Sequence, residues 1–175
     1  MPDNENPDIK WYVLRDLKRA NCKSPAYKML PELGFEVFTP MEKKKVNGKN
    51  ILRPVLSDLL FVHTDKATLD PVIDITPTLQ YRYLRGGYRR LMIIPNDEMD
   101  SFIKVAGNSN AEFHSMIPRS MIGRKVRFNS GPFAGVSGHL VTIRGRRNQR
   151  LMVEIEGLLS ASVEVNPEEI DIASA

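Results

Sequence analysis

Apolar and polar residues alternate at period two through the last third of the chain, whereas the first hundred residues switch between that period and helical spacing. In the last third, Val126-Arg127-Phe128, Leu140 to Ile143, Leu151 to Ile155 and Ser162 to Val165 read as short β-runs. Gly131-Pro132-Phe133-Ala134-Gly135 and Gly138 break the first of them from the second, a composition that turns the backbone tightly and accepts positive φ. Such runs at such spacing predict a small all-β barrel. Its glycines and Pro132 also weigh against any helical alternative, by about 1 kcal/mol per glycine and about 3 kcal/mol for proline.

The earlier part predicts an α/β sandwich. Lys10 to Arg15 is a first strand, rich in aromatic and β-branched residues. Tyr27, Leu30 and Leu33 recur at helical spacing from Ser24, with Ser24-Pro25 as a start and Gly34 as a stop, and Pro31 predicts a kink or an early end. Phe35 to Thr39 alternates as a half-buried strand, stopped by Pro40. A hairpin arm follows, turning at Asn47-Gly48 and carrying Lys43, Lys44, Lys45 and Lys49. Leu59-Leu60-Phe61-Val62 is apolar throughout, as a central strand is. Lys66 to Ile75 is a short helix limited by Pro71 and Pro77. Gln80 to Arg85 and Arg90 to Ile94 pair across Gly86-Gly87, and the helix from Asn96 to Val105 places Met99, Phe102, Ile103 and Ala106 on one face. Alternating elements of this kind predict an antiparallel sheet with helices packed on it. Residues 107–121 lack periodicity and contain Pro118, so two domains are expected, 9–106 and 122–172, joined by a linker.

Composition narrows the function. At 175 residues and 42% hydrophobic, the chain can build real cores. A formal charge of +4 and a pI near 9.2 are compatible with nucleic acid without requiring it. The single cysteine, Cys22, excludes an intramolecular disulfide and a cysteine zinc site, which fits a reducing cytoplasm. The acidic, polar start lacks the pattern of a signal peptide, and no apolar run reaches bilayer length. His63, His114 and His139 have no metal-ligand spacing, the glycines precede no helix that could cradle phosphate, and Cys22 lacks the context of a nucleophile. A cytoplasmic binding protein is expected, with no membrane, metal, cofactor or catalytic role. Arg144, Arg146, Arg147 and Arg150 crowd one loop, a candidate phosphate-binding tip for RNA.

The motif led by Val126 and Arg127, centred on Gly131-Pro132-Phe133-Ala134-Gly135 and Gly138, and closed by Val163-Glu164-Val165 through Glu168-Glu169-Ile170, resembles the KOW motif. Upstream, Trp11-Tyr12-Val13-Leu14, Phe38-Thr39-Pro40, Leu60-Phe61-Val62 and Ile94-Pro95 occur in the order seen in the N-terminal domain of the NusG family. The resemblance spans nearly the whole chain. It implies an α+β protein: a ferredoxin-like α/β sandwich with an antiparallel sheet, then a five-stranded SH3-like barrel. It further implies a monomeric transcription elongation factor that binds RNA polymerase through an apolar groove near Leu59 and Phe61 and promotes processivity or antitermination. Leu56-Ser57-Asp58-Leu59 stands where the family has a Phe-Pro-Gly-Tyr-like turn, a departure that looks more like the operon-specific members, RfaH and the UpxY antiterminators of polysaccharide operons. In specialised members the start of the first helix contacts non-template DNA, which here points to Lys18, Arg19, Lys23 and Lys28. The barrel's partner in the family is a ribosomal protein or a termination factor. The alternative reading is a ribosome-associated or RNA-binding KOW-domain protein.

Overall fold

The structure, a computed structural model, describes residues 8–18, 23–86, 89–115, 120, 122–166 and 172–174. The chain divides into two compact units, one of residues 1–40 and 54–96, the other of 41–53 and 97–175.

The first unit is built around β1 (Lys10–Asp16), whose Trp11, Tyr12, Val13 and Leu14 are all buried. Next come α1 (Ala26–Glu32) and β2 (Glu36–Phe38), and then the inserted hairpin of β3 (Met41–Val46) and β4 (Lys49–Pro54). After it the chain re-enters as β5 (Leu59–Thr64), α2 (Lys66–Ile75), β6 (Leu79–Tyr81) and β7 (Ile93–Ile94). The sheet runs β2-β5-β1-β6, with β7 also on β1, and every pairing is antiparallel. Setting the inserted hairpin aside, the element order β-α-β-β-α-β with the first and third strands central is the ferredoxin-like arrangement. The sequence expectation of an antiparallel sandwich is therefore met, and β5 is central as its unbroken apolar run predicts.

One face of the sheet is closed by both helices. Tyr12 and Leu14 of β1, Leu60 and Val62 of β5 and Leu79 of β6 pack with Ala26 and Leu30 of α1 and Leu69 of α2. Burying each of the larger aliphatic side chains contributes about 1.5–3 kcal/mol. Helix α1 runs through Pro31 to Glu32, one residue short of the expected Leu33, and Gly34 at φ 91° donates back to the Pro31 carbonyl. The start of α1 differs from the expected Ser24 cap. Pro25 is the cap residue, and the acceptor comes from the sheet: buried Asp16 takes a 2.7 Å hydrogen bond from the Ala26 amide and a 3.0 Å bond from the Lys18 amide. A carboxylate at a helix N-terminus gains from both the orphan amides and the dipole. In α2 the cap is local, Asp65 accepting from the Thr68 amide at 2.9 Å.

In the β3–β4 hairpin, Asn47 and Gly48 both have positive φ, 50° and 77°, the type I′ turn that Asn-Gly favours. Lys43, Lys44, Lys45 and Lys49 are exposed, and Arg53 pairs with Glu42 at 3.1 Å.

In the second unit, α3 (Asn96–Ala106) buries Met99, Phe102, Val105 and Ala106, with Asp97 and Glu98 in its first turn and Lys104 in its last, as the dipole favours. Ile103, expected on the same face, is only partly buried. The remaining strands are β8 (Glu112–His114), β9 (Ile122–Phe128), β10 (Ser137–Val141), β11 (Arg150–Ile155), β12 (Leu159–Glu164) and β13 (Ile172–Ser174), in the order β13-β9-β10-β11-β12-β8. All pairings are antiparallel. Two features depart from expectation. Residues 112–114, within the expected linker, form an edge strand on β12, and the sheet has six strands where the family resemblance implies five. A three-residue edge strand has no periodicity to read, which is why it escapes the sequence. Gly138 is needed where β10 meets β11: a Cβ there would run into the Met152 carbonyl oxygen and sit 2.9 Å from Leu151 Cδ1. Helix α3 is tied to this sheet by Lys104 Nζ donating to the Ala134 carbonyl at 2.9 Å and by Ser101 Oγ accepting from the Ser137 amide at 3.2 Å.

The Asp16 cap sets a stability test. Asp16→Ala leaves two amides without their acceptor and is expected to cost about 1–3 kcal/mol in urea unfolding, whereas Asp16→Asn, which keeps one acceptor oxygen, costs less than Asp16→Ala. Equal stability of wild type and Asp16→Ala would contradict the capping role.

Candidate functional site

The second face of the first sheet is also apolar. Side chains alternate across β1 and β5, so Trp11 and Val13, with Leu59 and Phe61, point away from α1 and α2. Phe38 joins them from β2, its ring 6.4 Å from that of Phe61, and Ile94 from β7 lies opposite Trp11. His63 continues the face: its ring stacks on Trp11 at 4.6 Å, and its Nδ1 is 2.7 Å from Glu36 Oε2. The two residues expected at a docking groove therefore share this face, and both side chains are buried, Leu59 at 2% exposure and Phe61 at 0%.

Of the basic residues expected at the start of α1, Lys18 donates from Nζ to the Ser24 carbonyl at 3.0 Å. Lys23 and Lys28 are exposed, with Lys28 Nζ 5.7 Å from the centre of the neighbouring Tyr27 ring. Arg19 lies outside the described residues. Lys18 and Lys23 thus stand on either side of residues 19–22, which lie outside the described residues, and Lys28 lies in α1.

The four arginines of the β10–β11 loop do not form one patch. Arg150 is buried, donating from Nε to Ser162 Oγ and from Nη2 to the Ser162 carbonyl, both at 2.9 Å. Arg146 pairs with Glu112 at 2.8 Å. Arg144 and Arg147 are exposed. Beside them lies an open cleft of about 620 Å³, lined by Asn108, Glu112, Phe133, Arg146, Arg150 and Val163 among others. Burial holds the His114 imidazole below its ordinary pKa, Arg150 and Arg146 push it the same way, and Glu112 opposes them. Ser162 Oγ, which accepts from Arg150, keeps a proton to donate to an unprotonated His114 Nε2 2.8 Å away. The hydrogen bond from Arg146 holds the Glu112 carboxyl below its ordinary pKa.

A further basic element went unnoticed in the sequence. Arg82, Arg85, Arg89 and Arg90 belong to the hairpin that joins β6 to β7. The signal was present, since residues 75–96 contain these four arginines and no carboxylate.

Among the described residues, no group of three or more His, Cys, Asp and Glu side chains could hold a metal ion, and no helix is long and apolar enough to cross a membrane.

Comparison with known proteins places this geometry. The family model described as transcription termination factor NusG matches residues 9–103, from the start of β1 into α3. That match covers more than half of the chain, and the protein belongs to the NusG family. Among solved structures, one concerned with domain interaction in Thermotoga maritima NusG is similar at 16% identity and a TM-score of 0.45, over 93% of this chain and 96% of that one. No curated protein matches the chain in sequence.

The His114 network yields a pH test. With the folded pKa below the unfolded value of about 6.5, the unfolded state binds the extra proton first, so stability is complete above that value and falls as pH drops through it. Glu112 adds a second loss below about pH 4.5. His114→Gln should flatten the dependence of the urea midpoint between about pH 7.5 and 5.5; an unchanged slope would contradict the assignment.

Proposed function

We propose that this protein is a transcription elongation factor that binds RNA polymerase and promotes processivity or antitermination. Membership of the NusG family supports this reading, and one structural observation carries it: an antiparallel sheet whose first face is covered by α1 and α2 has a second face that is apolar as well. In the proposal the polymerase docks on that face, near Leu59 and Phe61, with an amphipathic helical element as the occupant. Both side chains are buried here, so docking requires the face to be presented to the polymerase. Differential affinity for the elongating state would then disfavour pausing without any bond being made or broken. The departure at Leu56-Ser57-Asp58-Leu59 supports an operon-specific role of the RfaH or UpxY kind over a housekeeping one.

The finer assignments follow the same reading. Residues 9–106 act as the polymerase-binding domain, and residues 122–172 as a KOW-type barrel joined to it by 107–121, whose partner is a ribosomal protein or a termination factor. Lys18, Arg19, Lys23 and Lys28 face non-template DNA, and of the exposed loop arginines Arg144 and Arg147 take nascent RNA, Arg146 being in an ion pair with Glu112. The protein works as a monomer in the cytoplasm.

Two measurements test this. Wild-type protein should co-sediment with core RNA polymerase, and Phe38→Ala combined with Phe61→Leu, confirmed folded by circular dichroism, should bind at least about tenfold more weakly, as the loss of a central apolar anchor does. Undiminished binding by a folded variant would remove the docking face from the account. On a polymerase elongation complex, Lys18→Gln, Lys23→Gln and Lys28→Gln together should reduce the salt dependence of affinity by about 0.7 in log–log slope for each phosphate that is no longer neutralised. A slope equal to wild type would make these residues solvated lysines.

A further inference from the structure

Along β1 the side chains that turn away from α1 and α2 are Trp11, Val13 and Arg15, since Tyr12 and Leu14 join the helices and Asp16 caps α1. Tyr81 of β6 packs on the helical side. Arg82, whose amide donates to the Val13 carbonyl at 2.8 Å, therefore turns to the same face as Arg15. Asp58, just before Leu59 at the start of β5, meets both arginines: its Oδ2 accepts from Arg82 Nη2 at 3.1 Å and from Arg15 Nε at 3.3 Å. The apolar face of Trp11, Val13, Leu59 and Phe61 is thus bounded at its Leu59 end by two guanidinium groups and one carboxylate.

One carboxylate does not neutralise two arginines. Arg15 commits only Nε to Asp58; its side chain is 50% exposed, and its two Nη groups have no acceptor among the described residues. The Arg82 side chain is 23% exposed, and its Nε is buried without an acceptor among those residues. Burial holds the Arg82 guanidinium below its ordinary pKa, Asp58 opposes that, and the neighbouring Arg15 adds to it. The opposite end of the face differs. There His63 stacks on Trp11 with Nδ1 2.7 Å from Glu36 Oε2, so the one imidazole has a carboxylate of its own. The face runs from an end with no excess of positive charge to an end that carries one.

We infer that the Arg15–Asp58–Arg82 end of this face takes a carboxylate side chain of the docking partner, and so fixes which way round the partner lies. The inference rests on the docking reading above and adds the partner's chemistry to it. Two guanidinium groups that share a single carboxylate leave both the charge and the N–H donors for a second one. Trp11 and Arg15 stand four residues apart on β1, about 13 Å of strand, which an α-helix laid along it covers in about nine residues. The occupant is thus an amphipathic helix of the polymerase, with apolar side chains on Trp11, Val13 and Phe61 and an Asp or Glu at the end that meets Arg15.

The test measures affinity and association rate of the full chain with core RNA polymerase free of nucleic acid, so that phosphates contribute nothing, at about 50 and about 500 mM salt. Wild-type binding tests the docking reading by itself, and Phe38→Ala combined with Phe61→Leu should weaken it at both salts. Arg15→Gln should weaken binding at least about fivefold at the lower salt, through slower association, and less than about twofold at the higher. Asp58→Asn removes the internal carboxylate and should tighten binding about threefold at the lower salt. A purely structural role for the trio would make that same change weaken binding. Lys45→Gln, which removes an exposed cation from the β3–β4 hairpin, should change affinity less than about twofold. Urea midpoints establish that each variant is folded. Where wild type binds, the inference is overturned, and the docking face kept, by any of three results: no loss from Arg15→Gln or a loss equal at both salts, an equal loss from Lys45→Gln, or binding by Asp58→Asn no tighter than wild type. Wild type that does not bind overturns both.

Discussion

Strand β1 has both edges paired and both faces buried, and the placement of the first unit's candidate residues follows from that constraint. One edge is taken by β5, from Lys10 opposite Thr64 to Arg15 opposite Leu59. The other edge is divided: β6 holds Leu14 to Asp16, β7 holds Trp11 and Tyr12, and the hairpin that joins β6 to β7 departs at Val13 between them. Because the side-chain period of a strand is two, fixing this register fixes which residues face the helices and which do not. Tyr12 and Leu14 go to the helices, and Trp11 and Val13 join Leu59 and Phe61 on the second face. A slip of one residue would exchange the two sets and bury Arg15 against α1 and α2.

The same strand ends in the residue that starts the first helix. Asp16 accepts from Ala26 and Lys18, so a buried carboxylate fixes both Lys18 and the first residue of α1. In the second unit the polar work is also inward. Arg150 and Arg146 are committed to Ser162 and Glu112, which makes them part of what positions β8 and the β10–β11 loop. A buried charged group already hydrogen-bonded by its own fold, as Arg150 is, has little left for a ligand, and losing it costs stability first.

Much of the architecture was legible in the sequence because the local signals agree with the fold. The apolar run of Leu59 to Val62 and the Asn47-Gly48 turn each have a short-range cause, and each appears where the pattern places it, whereas Gly138, read as part of the break between two β-runs, lies inside β10. What escaped depends on distant partners. Ser24 has the composition of a cap, but the acceptor that serves α1 comes from Asp16, ten residues before Ala26. Residues 112–114 are a strand only because β12 offers an edge. The arginines at 144–150 look alike in sequence, and only Ser162 and Glu112 separate the buried one and the paired one from the two that face solvent. The arginines at 82, 85, 89 and 90 were missed for a different reason: they are spaced along the hairpin between β6 and β7, so no long run of basic residues marks them.

The central claim is that the protein acts on elongating RNA polymerase, and it is tested most directly by timing transcription. Purified polymerase would be followed in single rounds on a template with a defined pause, with and without the full-length protein. The account predicts a shorter pause and more full-length RNA when the protein is present, with the effect reduced by Phe38→Ala combined with Phe61→Leu. Pause lifetimes and yields that do not change at saturating protein would contradict it.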